Sequence, residues 1–502
     1  MTKILLLLLI SMTGSGGVLN LTLQDAVRIA LENNRDIKIQ EKNVEFSEGE
    51  IKTQQGEFDP LFNVVSFYND SAFPTTSTFI PSGTVSQKEF EAEAAIDGKL
   101  PTGSFYNLGF TTTRTDTNSP LEDLSPNWFN FVNFSLGQEL LRNFGVDVNR
   151  TFIITAKRTN RISQKELENT ISQVVLEVER RYWLVVAAKK NLELERTALE
   201  LAIDLGNRNQ IQVDVGVLPP VAVTQAESEV AAREVSVIRA ENALQAAEDD
   251  LKNLLAMDLS QQIAATDEPT TTKYEFSEEE SLEVAYEERP EIEQAKLNID
   301  NKETLKKYYS NQRLPRLAVE GSLQLQGLGG DENPDRLSFG DEPEPIPPQF
   351  NSPGDAFRQI FGADFTTWQI LGIFSFPIFN RTARGNYTKA TAELTRSVIE
   401  LSKTKDDVAL DVRSAIRQIE NSLRAIKAAQ VSIDLAEEVV NNEQERLNVG
   451  IGTTREVLEA QRDLIDAGVR EITAVTSYNI ALAELEFAKG TILQNNLVEI
   501  EE

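Results

Sequence analysis

The apolar positions of this chain recur with two different periods, and the order in which those periods appear is the same in both halves. From Leu21 to about Gln55, Leu23, Val27, Ala30 and Leu31 fall on one face of a helix. A counterpart runs from Ser277, an N-cap ahead of a glutamate-rich first turn, to about Arg313. Asp59-Pro60 and Leu314-Pro315 stop these helices, because proline disfavours helical backbone in the residue before it. The period then falls to two, which indicates strands. Leu317, Val319, Leu323 and Leu325 alternate with Ala318, Glu320, Ser322 and Gln324. Ala92, Ala94, Ile96 and Leu100 alternate with Glu91, Glu93, Asp97 and Lys99, and Tyr106, Leu108 and Phe110 with Phe105, Asn107 and Gly109. Returning strands are expected at roughly Asn130 to Leu136 and at Trp368 to Phe376. The Pro/Gly-rich stretches Phe73–Ser86, Thr115–Pro126 and Gly327–Gly354 read as surface loops.

The helical period then returns at unusual length. Neither Arg150 to Leu205 nor Asn386 to Val449 contains glycine or proline, which predicts helices on the order of 80–100 Å. Ile416, Ile419, Leu423, Ile426, Ile433, Val440 and Leu447 form a heptad seam, echoed by Tyr182, Val185, Leu192, Leu199 and Val213. Each long helix ends at a glycine turn, Val215-Gly216-Val217-Leu218 and Val449-Gly450-Ile451-Gly452-Thr453-Thr454. A return helix follows, Val221 to Met257 and Arg455 to Leu493.

The halves are one unit written twice. An offset of 234 places Arg150 on Arg384, Ala156 on Ala390, Gly216 on Gly450, Ala226 on Ala460 and Leu251 on Leu485. Upstream an offset of 255 places Asp36-Ile37 on Glu291-Ile292 and Pro60 on Pro315. The difference implies about 21 additional residues in the first copy, accounted for by an extra hairpin, Glu91–Leu100 and Phe105–Thr113. The division expected is a signal peptide at 1–17, a first repeat at 18–260, a linker at 261–276, a second repeat at 277–493 and an acidic tail at 494–502.

Composition narrows the function. The 502 residues carry 79 acidic and 49 basic groups, no cysteine and no histidine. A net charge of −30 without a basic block disfavours nucleic acid, whose phosphates require a positive face. Lacking thiols, imidazoles, a metal-spaced cluster and a phosphate-cradling loop, the chain offers no catalytic constellation, so neither an enzyme nor a cofactor is expected. Lys3, the apolar run Ile4–Ile10 and a small-residue stretch read as a signal peptide. No other segment has the ~18 apolar residues of a spanning helix, so any membrane passage must use strands.

These features together resemble the TolC family of outer-membrane efflux channels, and the likeness covers nearly all of Leu21 to Leu493. The block Val449-Gly450 followed by Glu456-Val457-Leu458-Glu459-Ala460 is similar to the family's Val-Gly-x₅-Asp-Val-Leu-Asp-Ala. The resemblance implies a duplicated chain forming a trimeric outer-membrane β-barrel continued by a long periplasmic coiled-coil α-barrel. It implies a homotrimer in outer-membrane lipid that receives cargo from an inner-membrane pump or ABC transporter through a periplasmic adaptor. Two strands from each repeat would give twelve per trimer, with the place of the extra hairpin open. Glu456 and Glu459 match carboxylates of the periplasmic constriction, where three copies would form a ring with raised pKa values. Acids in a first turn also favour the helix dipole regardless of function. Ala222 stands where the family can carry a further acid. Val215, Gly216, Val217, Leu218, Val449, Gly450, Ile451, Thr453 and Thr454 become candidates for adaptor docking at exposed tips. The alternative is a non-conducting coiled-coil scaffold of the envelope, which leaves the strands unexplained.

Overall fold

A computed structural model describes residues 18–80, 82–337 and 345–498. The signal-peptide assignment at 1–17 and the end of the acidic tail lie outside them. Along the chain run β1 (Leu19–Leu21), α1 (Leu23–Asn33), α2 (Arg35–Gln55), β2 (Leu61–Pro74), β3 (Thr84–Lys99), β4 (Ser104–Thr117) and β5 (Leu124–Glu139). Then follow α3 (Val146–Asn149), α4 (Thr151–Asp214), α5 (Val221–Leu254), β6 (Ile263–Ala265), α6 (Glu278–Glu288) and α7 (Pro290–Asn311). The chain continues with β7 (Arg316–Glu332), α8 (Pro353–Gly362), β8 (Phe365–Ser375), α9 (Arg381–Asn448), α10 (Thr454–Lys489) and α11 (Ile492–Asn495). Two compact units result, one from residues up to Phe46, Asn160–Asn298 and from Val398 on, the other from Ser47–Thr159 and Ile299–Ser397.

The second unit is built on a six-stranded antiparallel sheet in the order β2-β3-β4-β5-β7-β8. Its register sorts side chains by face. Phe62, Val64 and Tyr68 align with Ile96, Ala94 and Phe90, and these with Leu108, Phe110 and Arg114. Val132, Phe134 and Leu136 continue the row, then Leu325, Leu323 and Gly321, then Thr366, Trp368 and Ile370. The other face carries Glu89, Glu91, Glu93 and Asp97 on β3, opposite the threonines and asparagine of β4. There Asn63 and Asn107 donate to Asp97 at 3.0 and 2.7 Å, and Asn133 donates to Asn107 at 3.2 Å. In the middle of the sheet the polar face is the more enclosed: Thr111 and Ser135 are buried, whereas Phe134 on the other face is 45% exposed. Apolar-out and polar-in is the inversion that lipid imposes on a strand.

The extra hairpin is β3–β4, and it sits in the middle of this sheet rather than at a rim. The stretch Gly327–Gly354, expected as a loop, is ordered at both ends. Strand β7 continues to Glu332, and α8 lies on the apolar face over Gly327 and Gly329, where any side chain would strike the backbone of Ala356 or Ser352. Gln359 fastens α8 by pairing with both backbone groups of Leu328 at 2.9 and 3.0 Å. Phe110 stacks on Phe357, with ring centroids 5.9 Å apart.

The first unit is helical, and equivalent positions of the two repeats are equally buried. Ala30 and Ala285, Ile37 and Ile292, and Leu251 and Leu485 are all at 0–1% exposure. Thr22 and Ser277, related by the upstream offset, each cap a helix by accepting from the backbone N–H three residues on. The opening helices are not continuous as expected but break at Asn34 and Arg289, again equivalent positions. Asn34 Oδ1 accepts from the N–H groups of Asp36 and Ile37, restarting the helix, and Pro290 does so in the second copy. The linker is held by buried tyrosines. Tyr182 Oη accepts the amides of Thr266 and Asp267, and Tyr478 Oη donates to Thr272 O at 2.6 Å and accepts Tyr274 N–H. Burial pushes the Tyr182 hydroxyl up to about 12.

Helices α4 and α9 run unbroken for 64 and 68 residues, or about 100 Å each. The seam positions Tyr182, Val185 and Leu192 of α4, and Ile416, Ile419, Val440 and Leu447 of α9, are buried. Replacing Phe134 by Arg should destabilise the sheet by about 2–4 kcal/mol in a bilayer, while Asn133→Arg on the polar face should cost far less. Urea midpoints in reconstituted vesicles will separate the two.

Candidate functional site

The ends of the long helices bring together most of the residues singled out above. Both turns use one hydrogen-bond pattern. Gly216 N–H donates to Val213 O at 2.9 Å and Val217 N–H to Gln212 O at 2.8 Å. At the other tip, Gly450 N–H donates to Leu447 O at 3.1 Å and Ile451 N–H to Arg446 O at 3.0 Å. Gly216 and Gly450 both have φ of 77°, a left-handed backbone that side chains resist. The turns therefore hold their flanking residues outward. Val215, Val217, Val449 and Ile451 are 61–71% exposed.

Two of the expected surface residues point inward instead. Leu218 packs against Leu205, Leu447, Val457 and Leu458, a small apolar core shared by the two tips. Thr454 is buried, its Oγ1 accepting from Asn209 Nδ2 at 3.2 Å; the same amide donates to Ala222 O at 3.2 Å. The turns expose only the side chains at their apex, because the two hairpins pack on one another just behind it. Asn209, buried in α4, thus joins the first tip to the second.

Glu456, in the first turn of α10, and Glu459, three residues on, are both exposed. Glu456 closes a capping box with Thr453: its carboxylate accepts Thr453 N–H at 2.8 Å and the hydroxyl at 3.0 Å, while Thr453 Oγ1 caps the Glu456 amide. These hydrogen bonds hold the Glu456 carboxyl below the usual range. Within one chain the shift is therefore opposite to the raised value expected of a carboxylate ring.

Behind the tips lies a charge cluster that the pattern of apolar residues had not marked. Glu229 of α5 is buried and pairs with Arg462 of α10 and with Arg233, whose Nε donates at 2.9 Å. Arg233 also lies 3.7 Å from Glu195 of α4, so three helices meet at this cluster. Burial raises the Glu229 carboxyl, but the two guanidinium groups outweigh it and hold the group below its ordinary value. Arg233 four residues after Glu229 was a visible pair; Arg462, 233 positions away, was not. Among the described residues no group of acidic side chains is arranged to hold a metal ion.

The outer membrane efflux protein model matches the chain twice, over residues 103–257 and 282–491. The chain belongs to the outer membrane efflux protein family. The outer membrane protein TolC of Vibrio cholerae is 21% identical over 457 residues, covering 90% of this chain and 92% of that one. The CmeC outer-membrane channel of Campylobacter jejuni superposes with a TM-score of 0.63 at 17% identity, covering 94% and 86% of the two chains. VceC of Vibrio cholerae gives 0.65 at 13% identity, covering 93% and 96%. This efflux-family chain accordingly has the mixed α and β fold of those channels and resides in the outer membrane, where the apolar face of its sheet meets lipid.

A depressed carboxyl pKa stabilises above the unfolded value and ceases to do so as pH falls through the folded one. Acidification from neutrality to below the ordinary glutamate range should therefore loosen α5 from α10. Glu229→Gln should abolish that response while raising amide exchange at neutral pH. Hydrogen exchange of residues 221–235 against pH will show both.

Proposed function

We propose that three copies of this chain form an exit duct that passes cargo from an inner-membrane pump, through a periplasmic adaptor, across the outer membrane. The observation that carries this reading is the β2–β8 sheet, which presents an apolar face, a hydrogen-bonded polar face and two unpaired edge strands in one efflux-family chain. Open edges cannot persist in hydrocarbon, so such a sheet must be completed by other copies and thereby encloses its polar face. Exposed apolar side chains on α9, including Ile399, Leu410, Val431 and Leu435, support the same association among the helices. A duct needs no chemistry of its own; the pump supplies the energy.

The tips are where such a duct would narrow and be opened. Val215, Gly216, Val217, Val449, Gly450, Ile451 and Thr453 form the adaptor-facing surface, with Leu218 and Thr454 supporting it from behind. Threefold repetition of Glu456 and Glu459 would place six carboxylates about the mouth and attract cations. The scaffold alternative predicts no conductance. Single-channel recording in planar bilayers decides between them: a small, cation-selective current blocked by divalent cations from the tip side supports the duct, and folded trimers without current defeat it. Glu456→Gln with Glu459→Gln should weaken the divalent block severalfold; an unchanged block removes these residues from the constriction. Gly450→Pro, whose ring forbids the observed φ and removes the N–H given to Leu447, should impair efflux in cells while trimers persist on native gels.

A further inference from the structure

The two edge strands of the sheet carry enough information to say how they meet. Following backbone partners across the sheet from Leu61, the first residue of β2, leads through Asp97, Asn107, Ser135 and Ser322 to Gln369 of β8. Gln369 lies six residues before Ser375, where β8 ends. The strand ends therefore climb by one residue per strand across the six strands of one chain. That stagger is the shear a closed barrel requires.

We infer that β8 of one copy pairs with β2 of the next in a single register, Ser375 opposite Leu61, closing an eighteen-stranded barrel from three copies; the count of three rests on the duct reading above. Four observations converge on this register. An antiparallel sheet with an even number of strands leaves β2 and β8 running in opposite directions, so copies join head to tail and the ring closes without a parallel pair. Leu61 and Ser375 both lie on the polar face, so the pairing keeps Phe62, Val64 and Tyr68 on the same face as Phe374, Gly372 and Trp368; a slip of one residue would invert β2. The register sets Phe62 opposite Phe374 and Tyr68 opposite Trp368, all four exposed in the single chain, and such aromatic cross-strand pairs stabilise a sheet. Finally, a shear of one residue per strand, with a rise of about 3.3 Å and a strand spacing of about 4.8 Å, gives a tilt of about 35°, within the range of membrane barrels.

The extra hairpin thereby becomes a determinant of pore width. With β3 and β4 in the wall, the backbone radius is about 17 Å, against about 11 Å for twelve strands at the same tilt. The wider barrel would admit bulkier cargo at the outer face. Its lumen would also repeat the β3 carboxylates Glu89, Glu91, Glu93 and Asp97 in every copy.

The chain has no cysteine, so introduced pairs can be read without background. Ser66→Cys with Ile370→Cys, opposite each other in the inferred register, should on oxidation of outer membranes give covalent dimers and trimers and nothing larger on non-reducing gels. Each single variant, and Ser66→Cys with Leu371→Cys on opposite faces, should stay monomeric. A cryomicroscopy map of the unmodified protein should show eighteen strands. Twelve strands, or no Ser66–Ile370 cross-link in a protein that is trimeric and conducts, overturns the inference and leaves the duct standing. Loss of both trimer and current in the unmodified protein would remove the duct reading and the inference with it.

Discussion

A backbone amide or carbonyl in hydrocarbon has no water to turn to, and the cost of leaving one unpaired is several kcal/mol. The interior strands of the sheet meet this demand within one chain, while β2 and β8 each leave a row of groups unmet. Much else in the molecule follows from that requirement. The sheet must alternate strictly, since lipid lies on one side and water on the other, and β3, β4 and β7 do so along most of their length. Apolar residues are likewise left exposed along α9, Ile399 and Leu410 among them.

The duplication supplies the second organising principle. Equivalent caps at Thr22 and Ser277, equivalent breaks at Asn34 and Arg289, and equivalent glycine turns at Gly216 and Gly450 show that backbone geometry is kept where side chains have diverged. At the tips the two copies do not merely coexist. Leu218 and Asn209 from the first reach Val457 and Thr454 from the second, so the turns are buttressed as a pair. The buried Glu229 cluster extends that buttress across α4, α5 and α10.

Much of this was legible in the order of residues, and the parts that were not have physical reasons. Long helices without glycine or proline, heptad seams and period-two strands all announce themselves locally. Strand β2 does not, because Leu61, Val65 and Phe67 place apolar side chains on its polar face and blur the alternation. Helix α8 was concealed in a Pro/Gly-rich stretch, although Ser352-Pro353-Gly354-Asp355 spells a capping box with proline in the first turn. The inward turn of Leu218 and Thr454, and the pairing of Glu229 with Arg462, depend on helices that are neighbours only in the folded chain. Glu456 was found for its position, but its bond to Thr453 shows that the same carboxylate also starts a helix.

The hairpin β3–β4 belongs to the first repeat alone, leaving four strands from one half of the chain and two from the other. A ring of identical subunits cannot add strands singly: whatever one subunit gains, each of its fellows gains too, and an antiparallel wall accepts only whole hairpins. The bore of such a wall is therefore not continuously adjustable. It moves in steps of two strands multiplied by the number of subunits, so one short insertion in a gene is a large and discrete change in what can pass.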